Sequence, residues 1–208
     1  MTKKHLWLAV LLIVLSVLLV PAIMLGTQVF QSRDNASVYG LQVPHLDGVS
    51  FQWTDTSLQQ HAFPASKPMF SYMFMGFLSC SEICPIRIKQ LHQLEAAIAT
   101  DPMLASKAIQ FLFITIDPEN DTPTIRKAVI DDQSPRFVSA TLQEDQLLSL
   151  SNQLSENIQS HSATNNHVGN LYLIAPNGKI DRVYTAKHLS TDKMLAELKQ
   201  YMDASGNK

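Results

Sequence analysis

Two stretches, Met69 to Phe77 and Ile109 to Ile116, place apolar side chains at odd and even positions alike, the pattern of strands buried on both faces. Between them Ile88, Leu91, Leu94 and Ile98 recur at helical spacing, with Arg87, Lys89, Gln90 and Gln93 on the other side, which predicts an amphipathic helix. After Asp117-Pro118, either Asp121 or Thr122 caps a further helix that has Pro123 in its first turn. Phe137 to Ala140 suits a short strand. Thr141 with Glu144 forms a capping-box pattern ahead of a helix carrying Leu147, Leu150, Leu154 and Ile158. Leu171 to Ile174 and Ile180 to Tyr184 flank Pro176-Asn177-Gly178, a hairpin signal in which Asn-Gly suits the positive φ values of a type I′ turn. Leu195, Leu198 and Met202 mark a closing helix. Upstream, Tyr39 to Phe63 is turn-rich, with Pro44, Asp47-Gly48 and the alternating Val49, Phe51 and Trp53, and predicts a hairpin that opens the domain. The order β-α-β-α-β-α-β-β-α after that hairpin predicts an α/β sandwich of the thioredoxin type, a central mixed sheet with helices on both faces.

The N-terminal pattern is different. Leu6 to Leu25 carries no charge and is interrupted only by Ser16 and Pro21, enough to span a hydrocarbon core as one transmembrane helix. Lys3 and Lys4 precede it, and the positive-inside bias then sends the remainder of the chain outward. No Ala-x-Ala-like cleavage site follows, which favours an uncleaved anchor over a signal peptide. Without an Arg-rich presequence, the expected location is a bacterial inner membrane, single-pass, with the C-terminal domain in the periplasm. The expected organisation is an anchor over 1–26, a tether over 27–38 and one domain over 39–208. With 208 residues, 46% hydrophobic and 16% charged, one anchored domain suits the composition better than two soluble ones. A net charge of −2 and the lack of a basic stripe with interleaved aromatics argue against a nucleic-acid partner.

The chain holds 2 cysteines, too few for a disulfide scaffold, and both lie in Cys80-Ser81-Glu82-Ile83-Cys84-Pro85, between a predicted strand and a predicted helix. Pro85 suits the first helical position, which makes Cys84 the N-cap and sets both sulfurs beside unpaired backbone N–H groups. Such surroundings favour thiolate, the form that binds soft metals and attacks disulfides. A structural disulfide or inert thiols fit the same spacing. Glu82 would raise the thiol pKa values if it pointed inward. Of 7 histidines, His5, His45, His61, His92 and His188 suit ordinary surface roles, with His92 on a solvated helix face. His167 closes a polar loop immediately ahead of the Leu171 strand, a connection able to approach the cysteine loop in this kind of layout. Two thiolates and an imidazole suit Cu(I) and accept Cu(II). Zinc would want a fourth ligand, for which His161 is available. Met69, Met73 and Met75 lie in a buried strand and suit core packing.

Three segments in order, Gly76 to Pro85, Phe113 to Pro123, and His167 ahead of Leu171 to Gly178, resemble the Sco/SenC family, membrane-anchored thioredoxin-like copper chaperones for cytochrome c oxidase assembly. The resemblance runs from about Val43 to Tyr201. It implies copper binding by Cys80, Cys84 and His167, delivery to the dinuclear copper centre of a respiratory oxidase subunit or to another copper carrier, and a fold-shaping role for Asp117 to Pro123 near the site. The chain departs from the family pattern at Ser81, where a proline is usual, and at Asn166, where an aspartate is usual. The alternative function is thiol-disulfide exchange on a periplasmic partner, with Cys80 attacking and Cys84 resolving. A peroxidase ranks third, since no Arg and Thr support for a peroxidatic thiol is legible.

Overall fold

The structure, a computed structural model, describes residues 39–43, 46, 48–156, 158–162 and 168–205. The expected anchor and tether lie outside these residues, as do Pro44 and Asp47 of the opening turn. Among the described residues, no helix is long and apolar enough to cross a membrane.

Seven strands form one sheet: β1 (Phe51–Thr54), β2 (Gln60–Phe63), β3 (Phe70–Gly76), β4 (Ile109–Thr115), β5 (Phe137–Thr141), β6 (Leu171–Ile174) and β7 (Ile180–Tyr184). Among the described residues four α-helices accompany them: α1 (Ile83–Thr100), α2 (Pro123–Val129), α3 (Glu144–Gln153) and α4 (Thr191–Ser205). The sheet order is β2-β1-β5-β4-β3-β6-β7. The central strands β3, β4 and β5 run parallel, while β1, β6 and β7 join antiparallel to their neighbours. This is the mixed thioredoxin-like sheet that the element order predicts.

Every residue of β3 is buried, and alternate side chains feed two cores. Met73 and Met75 point to the face shared with Leu112, Ile114, Tyr172 and Ile174, which α3 covers through Leu147 and Leu150. Tyr72 and Phe74 point to the face shared with Phe111, Phe113 and Leu173, which α1 covers through Leu91, Leu94 and Ile98, and α4 through Met194 and Leu198. Helices on both faces explain why β3 and β4 lack alternation. The methionines of β3 are core residues, as expected.

The sequence expectations need correction at several points. Thr141 does not cap α3. It ends β5, paired with Thr54 and Thr115, and lies two residues ahead of the position that caps the helix. Gln143 holds the N-cap position, with no side-chain bond. Helix α3 ends at Gln153, Ser155 turns with φ 54°, and Ile158 is buried from the segment beyond. The β6–β7 turn is not type I′. Pro176 fixes a negative φ, the Gly178 N–H donates to Ala175 O at 2.9 Å, and only Gly178 takes a positive φ, 85°. This is a type I turn closed by a glycine bulge.

Candidate dithiol centre

The loop Phe77 to Glu82 leaves the C-terminal end of β3 in the middle of the sheet and enters α1. Helix α1 begins at Ile83 with Glu82 as N-cap, so Cys84 lies inside the first turn and is not the cap. The two sulfurs therefore meet different environments. Cys84 is fully buried and Cys80 half-buried, and both are free thiols. Burial opposes ionisation of Cys80, but the backbone N–H groups of Cys84 and Glu82, the Cys84 thiol and the Ile83 N–H all bond to its sulfur and hold it below the ordinary cysteine value. Burial pushes Cys84 up to about 12, with Cys80 and Asp121 adding to the effect and a bond from the Phe77 backbone opposing it. The helix start thus favours thiolate at Cys80 alone, because the earlier start turns the Cys84 side chain back into the core. Glu82 is exposed, and what it contributes to Cys80 is its backbone N–H.

Gly76 allows this packing: a Cβ there would stand 2.7 Å from the Phe74 ring and 3.1 Å from Cys84 Sγ. Asp121 fixes the other side of the loop. Its buried carboxylate accepts the Leu78 N–H at 3.1 Å on each oxygen and the Thr115 hydroxyl at 2.7 Å. Burial raises the Asp121 pKa despite those donors. Thr122, not Asp121, caps α2, accepting the Ile125 N–H at 3.4 Å. Asp117 to Pro123 thus ties the cysteine loop to the end of β4. The sequence cue was there, since a second acid beside the cap is left without a capping duty.

Cys80 opens onto a cleft of about 270 Å³ lined by Phe77, Ser79, Ser81, Glu82, Ile83 and Val168. A neighbouring cleft of about 330 Å³ shares Glu82, Ile83 and Val168 and adds Glu156 and Asn170. There Glu156 Oε1 accepts the Tyr172 hydroxyl at 2.6 Å and the Asn170 amide at 2.9 Å. Burial raises the Glu156 pKa.

His167 and Asn166 lie outside the described residues, but Val168 next in the chain borders the Cys80 cleft. Among the described residues, no group of three His, Cys, Asp or Glu side chains is placed to hold a metal, so His161 does not join the cysteines. His161 Nε2 is buried without a partner. His61 bonds Asp55 at 2.8 Å and stacks on Trp53, and His188 is exposed. His92 is not on a solvated face. It packs edge-on against Phe137 at 4.9 Å, and burial lowers its pKa. Arg87 and Gln90, whose sequence positions place them on the polar side of α1, are also buried, because the carbonyls of Gly169, Ala186 and Lys187 need donors there. The described donor set is a cleft-lining sulfur, Cys80, held low by its donors and hydrogen-bonded to a second, buried sulfur, Cys84, which suits a thiophilic metal or exchange with another sulfur.

Residues 43–203 match a family model described as SCO1/SenC. A protein of Stutzerimonas stutzeri described as a putative copper-binding protein is 27% identical over 166 residues, 77% of this chain and 77% of that protein. The mitochondrial SCO2 homolog of Bos taurus is 26% identical over 144 residues, 64% of this chain, and the match covers about half, 51%, of its length. Among solved structures, yeast Sco1 with copper bound superposes with a TM-score of 0.62 at 21% identity, covering 77% of this chain and 94% of that one.

Proposed function

We propose that this chain, which belongs to the SCO1/SenC family, is a membrane-anchored copper carrier that loads the dinuclear copper centre of a respiratory oxidase, or passes copper to another carrier. Cys80 and Cys84 provide two thiolate ligands and His167 the third. The observation that carries this is that Cys80, lining the cleft, is hydrogen-bonded to the buried Cys84 thiol behind it. Copper is the cargo. Its arrival releases the proton of Cys84, whose thiol is otherwise held protonated near 12, so loading is linked to proton release. Departure begins at Cys80, the sulfur an acceptor's ligand reaches first from the cleft. In this reading residues 1–26 anchor the protein in a bacterial inner membrane, 27–38 tether it and 39–208 form the periplasmic domain. The names of the S. stutzeri protein and of the copper-bound yeast structure support copper as the cargo.

The unequal thiols favour a second function. A low-pKa, accessible Cys80 ahead of a buried Cys84 has the form of an attacking and a resolving thiol, so exchange with a partner's disulfide is the alternative. Copper titration of the reduced protein and of His167→Ala separates the two. The substitution should weaken binding by at least the roughly 10–100-fold that loss of an outer-shell partner costs. Unchanged affinity, with disulfide-reducing activity that depends on both cysteines, would establish the alternative.

A further inference from the structure

Glu156 lines the cleft that adjoins the Cys80 cleft, and it is held from two sides. Its backbone N–H donates to Ser151 O at 2.9 Å and its carbonyl accepts the Ser151 hydroxyl at 3.0 Å, so the end of α3 fixes its main chain. The sheet fixes its side chain. Oε1 accepts the Tyr172 hydroxyl of β6 at 2.6 Å and, from the residue just ahead of that strand, the Asn170 amide at 2.9 Å. Both donors converge on one oxygen, and Oε2 accepts no hydrogen bond from the described residues. A group needed only to staple these two donors could be a glutamine, whose carbonyl oxygen would accept both without the cost that burial imposes on a charge. The charge serves the oxygen that the two donors leave open.

The lining sets the sign and size of what that oxygen meets. Glu82 adds a second carboxylate at the wall the two clefts share, and Lys187 is the one cation among the described lining residues. Lys187 pairs with neither acid among the described residues. At about 330 Å³ the cleft lies at the bottom of the range of ligand pockets, about 300–1,000 Å³, and suits one side chain better than a cofactor. Ile83 and Val168 offer an apolar wall for the methylene stem of a long basic residue. Because the same two residues and Glu82 also border Cys80, a side chain seated here belongs to a segment that passes the Cys80 sulfur.

We propose that the Glu156 cleft is a recognition subsite for a lysine or arginine side chain of the protein that meets Cys80: Glu156 Oε2 takes the cation while the partner's sulfur approaches Cys80 in the adjoining cleft. The assignment rests on Cys80 being the sulfur at which a partner engages, which copper transfer and disulfide exchange have in common. The role of Glu156 is to select and align that partner.

The test follows adduct formation by the full-length Cys84→Ser protein in detergent micelles with short peptides whose one cysteine is a mixed disulfide with thionitrobenzoate. The Cys80 thiolate attacks the peptide sulfur, a new disulfide joins protein and peptide, and coloured thionitrobenzoate leaves as the thiolate. Lysine occupies each position around the cysteine in turn, and in a matched set the same lysine is acetylated. At the position that reaches the Glu156 cleft, lysine should speed adduct formation about tenfold over acetyl-lysine, the lower end for a hydrogen bond to a charged group. This comparison needs no substitution at the subsite. Glu156→Gln, which keeps an acceptor for Tyr172 and Asn170, should abolish the preference and leave the acetyl-lysine rates unchanged. Glu82→Gln should retain most of it. A preference of equal size at every position, or one that Glu82→Gln removes and Glu156→Gln does not, would mean diffuse steering by surface charge and overturn the assignment. Rates indifferent to acetylation, with adducts still forming, would overturn the assignment alone. If no peptide forms an adduct at Cys80, the reading of Cys80 as the engaging sulfur fails and takes the assignment with it.

Discussion

Replacing Asp121 with alanine tests how the cysteine loop is held. The carboxylate is 2% exposed and serves two groups, the Leu78 N–H and the Thr115 hydroxyl. Leaving a buried donor unmet costs about 1–3 kcal/mol, so two give roughly 2–6 kcal/mol. Part of that is returned, because the wild type spends free energy burying a carboxyl whose pKa burial raises. A net loss of about 2–4 kcal/mol is therefore expected near neutral pH. For a domain of this size that lowers the Tm by about 4–16 °C, readable by circular dichroism. Asp121→Asn keeps one acceptor oxygen and should lose about half as much. The pH dependence has a definite sign. A carboxyl whose folded pKa lies above its unfolded value contributes stability that is full below the unfolded pKa and lost as pH rises through the folded one. The gap between wild type and Asp121→Ala should therefore narrow from about pH 4 towards neutrality. A Tm change under about 2 °C, or a gap that widens over that range, refutes the reasoning.

Alkylation by iodoacetamide should modify Cys80 well before Cys84, with a pH midpoint below that of an ordinary cysteine, as mass spectrometry of the two sites would register. Equal rates at the two sites would contradict the unequal environments. Glu197→Ala should cost about 3–5 kcal/mol in urea denaturation, since it leaves the buried Arg182 guanidinium unpaired along with the Tyr184 hydroxyl. A loss under about 1 kcal/mol would show that water replaces the carboxylate.

What the sequence disclosed follows from what its patterns depend on. Strands β3 and β4, the core stripe of α1 and the narrowing of the α2 cap to Asp121 or Thr122 rest on local spacing, and all were legible. Arg87, Gln90 and His92 were not, because a polar residue on a helix is buried only when a distant segment presents carbonyls or an aromatic ring to it. The Cys84 environment was misjudged by a shift of the helix start, which turned an expected cap into a core side chain. The type I′ expectation failed because Pro176 constrains the turn more strongly than Asn177-Gly178 does. The cysteine pair and the Asp117 to Pro123 loop were legible in one dimension. That Asp121 joins them needed the parallel pairing of β3 with β4.

One buried carboxylate closes the domain on itself. Glu197 of α4 accepts the N–H groups of Tyr39 and Gly40 and also binds Arg182 and Tyr184, contacts that reach across 158 residues of chain. During synthesis the first segment of the domain emerges long before its partner does. It has no partner until β7, through the Leu41–Val183 pairing, and then α4 leave the ribosome, so the beginning of the domain is among the last parts to be secured, and a chain stalled before Glu197 would hold its leading end by the β7 pairing alone.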